Sequence, residues 1–116
     1  MPDNEQLPMY TSDTFEIPGL KFQRHIGLCW GLTVVSVGLG KGIIGSLKTL
    51  GAGEVPEFTD VVDAARRTAI ARMIEHAQTL GGNAVVGIRF DSNSFGEGQG
   101  VVEVVAYGTA IVVTVP

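Results

Sequence analysis

Charged residues make up only 17% of this 116-residue sequence, below the quarter or so found in an average soluble domain. A small domain has much surface to keep wet. The shortage therefore predicts that part of its surface is covered by something other than water. The charge that is present sums to −4 at pH 7, and the eight Lys and Arg residues are scattered. That argues against sequence-independent nucleic-acid binding, which depends on clustered cations. It also leaves no polybasic patch for a membrane surface. Cysteine occurs once, at Cys29, so no internal disulfide can staple the chain. The opening residues, MPDNEQLPMYTSD, lack the positive start and apolar centre of a secretion signal. No long apolar run escapes interruption by Gly or polar residues. IGLCWGLTVVSVGLGKGII comes nearest, and its five glycines argue against a spanning helix. These absences predict a cytoplasmic protein of one domain, residues 13–116, behind a flexible tail, 1–12.

What is present is strongly patterned. TFEIPG (14–19) reads as a short strand ending in a Pro-Gly turn. RHIGLCWGLTVVSV (24–37) reads as a longer strand. Its even positions, Ile26, Leu28, Trp30, Leu32 and Val34, are bulky and apolar, whereas the odd face is small near its start. Gly27 and Gly31 on that small face predict a bulge or the close approach of another backbone. A Gly-rich stretch follows (38–56), then the main helix, FTDVVDAARRTAIARMIEHAQTLGG (58–82). Thr59 or Asp60 is the expected cap. Val62, Ala65, Ala69, Met73, Ala77 and Leu80 form one apolar stripe, and Gly81-Gly82 stops the helix. NAVVGIRFD (83–91) and GVVEVVAYGTAIVVTV (100–115) read as two strands joined by a polar, Gly-rich loop.

The last strand carries the most information. Its even face (Val102, Val104, Ala106, Gly108, Ala110, Val112) is small and apolar, suited to lie under the Ala-rich helix. Its odd face (Val101, Glu103, Val105, Tyr107, Thr109, Ile111, Val113, Val115) is mostly apolar too. A sheet with one wet face should alternate apolar with polar. One helix cannot cover both faces, so a second copy of the chain is expected there. Val105, Tyr107, Ile111 and Val113 are the candidate interface.

Candidate chemistry is sparse. Gly40, Gly42 and Gly45 fit G-x-G-x-x-G after a strand, with Lys41 among them. The βαβ frame and the later acidic residue of a dinucleotide turn are missing, as is the Walker lysine position. The soft metal ligands are His25, Cys29 and His76. On a strand His25 and Cys29 would share a face but stand roughly 13 Å apart, too far to grip one ion within one chain. Copies from different subunits could still converge near an axis. His76 reads as a surface residue in the last helical turns. Asp63 with Arg67, and Arg72 with Glu75 or His76, read as helix-surface pairs. Arg89 and Glu103 read as a pair across strands or, in a ring, between subunits. No nucleophile elbow and no Ser, His and acid constellation occurs, so no reaction is indicated.

The order of elements, with EIPG, HIGLCWG, GGNAVVGIRFDS and VVAYGTAIVV, resembles the YbjQ-like family, named for heavy-metal binding. The resemblance runs over residues 14–115. It implies an α+β, dodecin-like subunit, a small antiparallel sheet packed on one main helix, assembling into a ring usually described as a homopentamer. Members often carry a polar or acidic residue where this chain has Leu32. The resulting expectation is a non-catalytic homo-oligomer that binds a small ligand or partner. The alternatives are a heavy or transition metal held through Cys29 with His25, and, more weakly, a nucleotide at Gly40, Lys41 and Gly42.

Overall fold

The computed structural model describes residues 9–36, 56–95 and 100–116. The elements are β1 (Tyr10–Thr11), β2 (Lys21–Ser36), α1 (Pro56–Thr79), β3 (Ala84–Phe95) and β4 (Val101–Thr114). They form one four-stranded sheet in the order β1-β3-β4-β2, with α1 against one face. The α+β class expected from the sequence is present. β4 lies between β3 and β2 and is antiparallel to both. β1 runs parallel to β3, so the expected antiparallel sheet is mixed at one edge. No helix among the described residues is long and apolar enough to cross a membrane.

The contact between α1 and β2 has almost nothing in it. Ala65, Ala69, Met73 and Ala77 are buried on the helix, and Cys29, Gly31 and Thr33 are buried on the strand. A methyl group at Gly31 would collide with the Met73 backbone nitrogen and the Ala69 carbonyl oxygen, and would sit 2.6 Å from the Arg72 carbonyl carbon. Glycine is therefore the residue that lets the helix backbone lie on the strand. Gly27 serves the other purpose: it has φ +150° and lies at a bulge. The stripe holds from Ala65 to Ala77, with Ile74 also buried, but Leu80 is exposed.

The helix begins at Pro56 rather than at the expected Thr59 or Asp60. Proline suits the first helical position, where its missing N–H had no intrahelical partner anyway. The other end follows the sequence. Gly81 takes φ +97°, its amide donates to the Gln78 carbonyl at 3.0 Å, and the Gly82 amide donates to the Ala77 carbonyl at 3.0 Å. This is a Schellman stop. Asn83 then clamps the sheet. Its Nδ2 donates to the Val113 carbonyl at 2.9 Å, and its Oδ1 accepts the Val113 amide at 2.8 Å.

The N-terminal segment departs most from expectation. TFEIPG is not a strand. The strand lies just before it, at Tyr10–Thr11, and Met9 packs on the core, so the sheet starts within the span expected to be a tail. The chain continues beside β3: the Ser12 amide donates to Val85 O at 2.9 Å, and the Gly87 amide to Thr14 O at 2.7 Å. It then turns at Gly19 (φ +85°) and lays Ile17 and Leu20 against Ala84, Val86, Ile111 and Val113. This second cluster occupies the sheet face opposite the helix. Ile111 and Val113, expected at a subunit interface, are only 4% and 5% exposed. The chain's own segment covers them, which corrects that part of the interface assignment.

Gly31→Ala is expected to lift α1 from the sheet. We predict a loss of about 3 kcal/mol or more, the upper end for overpacking because backbone rather than side chain must move. Urea unfolding of the variant against the parent protein measures it.

Candidate functional site

The register assigns every strand residue to a face. On β4 the even positions face the helix and the odd positions face away. β2 pairs Thr33 with Val104, Gly31 with Ala106 and Cys29 with Gly108, all on the helix side. Its even residues Leu28, Trp30, Leu32 and Val34 pair with Thr109, Tyr107, Val105 and Glu103 on the outer side. These four apolar side chains are 41–62% exposed. The outer face is thus graded. β2 contributes an apolar row, β4 contributes Glu103, Val105, Tyr107 and Thr109, and β3 contributes Arg89, Asp91 and Asn93. Of the four expected interface residues, Val105 and Tyr107 lie on this open part.

The polar groups of β3 are tied inward. Arg89 does not pair with Glu103 as expected. Its Nη1 donates to Asp13 O at 2.8 Å and Ile88 O at 2.7 Å, holding the N-terminal segment. Glu103 instead accepts from Asn93 Nδ2 at 3.1 Å. A bulge at Gly87 (φ +64°) lies between Val86 and Arg89 and displaces the register by one, so a simple alternation places Arg89 opposite the wrong residue.

Two bulges in β2, between Phe22 and Arg24 and between His25 and Gly27, also decide the fate of the candidate metal ligands. His25 pairs with Ile111 and Cys29 with Gly108. Their β4 partners differ by an odd number, so the two side chains lie on opposite faces. The expectation that they share a face is corrected: the bulge reverses parity. Cys29 is fully buried and its Sγ donates to Gly108 O at 3.6 Å. Burial pushes the thiol up from its ordinary value, and a backbone hydrogen bond with Gly108 only partly offsets this. Such a thiol is a small hydrophobe. Among the described residues no three His, Cys, Asp or Glu groups come together to hold a metal ion. Lys41, Gly40 and Gly42 lie outside the described residues.

His76 and Arg72 do something their sequence context did not suggest. Among the described residues β2 is the last strand of the sheet, and its outer edge faces no other strand. The Trp30 amide donates to His76 Nδ1 at 3.1 Å. Arg72 Nη1 donates to the Leu32 carbonyl at 2.9 Å. The indole of Trp30 meets the His76 ring edge to face, with centroids 4.4 Å apart. These side chains stand one turn apart on α1 and bond to edge groups two residues apart on β2. The one signal available was their i, i+4 spacing, which the surface-pair reading also fits. Asp63 and Arg67 do form the expected helix pair, at 2.9 Å. Both are exposed, so the pair contributes about 0.3–0.5 kcal/mol. Near the start of α1 an open groove of about 340 Å³ is lined by Thr59, Val62, Asp63 and Arg66, and Arg66 stacks 5.3 Å from the Phe90 ring centre.

These features define a class: a small α+β domain that, among the described residues, has one helix on one face of a four-stranded sheet and an apolar strip on the other. A solved structure shares the fold. It is a protein of unknown function from Pediococcus pentosaceus, of the DUF74 family, with TM-score 0.56 and 13% identity over 95% of this chain and 100% of that one. The chain belongs to the YbjQ family, described as "Putative heavy-metal-binding", which matches residues 9–114. Among its relatives is the UPF0145 protein of Saccharolobus solfataricus, 49% identical over 83% of this chain and 82% of the relative. The UPF0145 protein of Thermoplasma volcanium is 42% identical over 97% of this chain and 89% of the relative.

The Cys29 environment has a consequence for pH. A thiol whose folded pKa is raised keeps its proton in the native state while the unfolded chain gives it up. Its contribution to stability is full below about pH 8.5, the unfolded value, and is lost as pH rises through the folded value. Stability should fall above pH 8.5 more steeply in the parent protein than in Cys29→Ala. That variant should itself start lower by about 1 kcal/mol from the small cavity. Denaturant titrations at pH 7, 8.5 and 10 measure both effects.

Proposed function

We propose that this chain works as a non-catalytic, cytoplasmic homo-oligomer, joined through the outer face of β2 and β4, with its ligand or partner site formed by the assembled ring. One observation carries the reading: Leu28, Trp30, Leu32 and Val34 project in a row from one strand, exposed to water, with exposed Tyr107 and half-buried Val105 beside them. A contiguous apolar patch on a small domain marks an interaction surface. An identical copy is the occupant to expect, since the sequence is also short of charge for its size. The homopentamer implied by the resemblance to YbjQ-like proteins is the assembly proposed. A site shared between subunits agrees with the scarcity of convergent polar groups in one chain.

Native mass spectrometry and light scattering test the assembly. We expect a single closed species of five subunits for the parent protein. Leu28→Glu with Leu32→Lys, both at exposed positions, should give a folded single subunit with unchanged far-UV circular dichroism. Ile111→Lys should instead unfold the subunit, because that side chain is internal. A parent protein that stays a lone subunit at micromolar concentration ends the proposal.

A further inference from the structure

A long apolar strand at the margin of a sheet is a template for open-ended pairing with another chain. Among the described residues β2 is such a strand: 16 residues, last in the sheet order, with an apolar outer face. In an antiparallel pair, alternate residues turn both backbone groups away from the partner strand. Trp30 N–H and Leu32 C=O are two such groups, and both are taken by side chains of α1. His76 accepts from the first, so its Nδ1 carries the lone pair and the proton sits on Nε2. Arg72 donates to the second. One side chain supplies an acceptor and the other a donor, which is what a neighbouring strand would supply. The half of β2 before Leu28 is protected differently, because its two bulges break the regular spacing that a second strand would need.

We propose that Arg72 and His76 guard the margin of β2 against strand addition by a second copy of β2. The excluded partner is the same strand because two copies brought together antiparallel offer each other the same alternation of donors and acceptors, with apolar side chains on a common face. The guard leaves that face free while closing the margin, so association is steered toward face contacts, which can close, and away from edge pairing, which can propagate. It is independent of whether the face contact proposed above forms.

The test compares the parent protein with Arg72→Ala/His76→Ala and with Arg72→Lys/His76→Gln. In the second pair a donor and a neutral acceptor are retained. Each is also placed on the Leu28→Glu/Leu32→Lys background, which removes the face contact. The readouts are particle mass over time by light scattering, thioflavin fluorescence, and the helix signal by circular dichroism. We expect the Ala pair to keep its helix signal while its mass grows steadily and thioflavin fluorescence rises, on both backgrounds. The Lys/Gln pair should hold a constant mass. If the Ala pair fails to fold, the single variants Arg72→Ala and His76→Ala carry the test, each opening one of the two backbone groups. A folded Ala variant of constant mass overturns the guard. So does growth of the Lys/Gln pair equal to that of the Ala pair. A parent protein found as a lone subunit would end the face-contact reading and leave this comparison unaffected.

Discussion

The structure depends on a helix lying directly on a strand. Gly31 removes the side chain that would hold the two apart, and Ala65, Ala69 and Ala77 remove those on the opposite side. Dispersion contacts are individually small, so this packing works only if it is continuous. The close approach also fixes where α1 lies, over β2 and β4 near one margin of the sheet. From there its longer side chains reach past the strand. Arg72 and His76 find edge groups only because the helix backbone is already against Gly31. The packing of the core and the protection of the margin are thus one arrangement.

The opposite face follows another logic. A single helix leaves it bare, and the chain covers part of it with its own N-terminal segment. Ile17 and Leu20 cover Ile111 and Val113, Arg89 holds Asp13 in place, and Asn83 ties β4 at the same end. The polar residues of β3 occupy one margin. What stays open is the β2 side, where Leu28 to Val34 alternate with residues facing the helix. The shortage of charge in the sequence is thereby localised to one strip.

Much of this was legible beforehand. Helix, long strands and final hairpin follow from period and from Gly-Gly stops, because α1 and β4 bury strictly regular stripes. The small face of β4 lies under the Ala-rich face of α1 as its composition implies. The failures have three causes. Bulges shift register without changing composition, so His25 and Cys29, four apart in sequence, end on opposite faces, and Arg89 meets Tyr107 where unbroken alternation from Val86 would give Ala106. The roles of His76 and Arg72 were hidden because backbone edge groups leave no mark in a sequence. The cover over Ile111 was missed because it comes from irregular chain, whose contacts have no period.

The position of β4 also bears on how quickly the sheet can assemble. It comes last in the order of described elements, yet both long strands hydrogen-bond to it. Among the described residues β4 is the strand that pairs with β2, and the two lie far apart in sequence. Such distant pairing makes folding slow relative to a helical bundle of the same size. Loss of β4 would therefore cost the sheet its centre, not a dispensable edge.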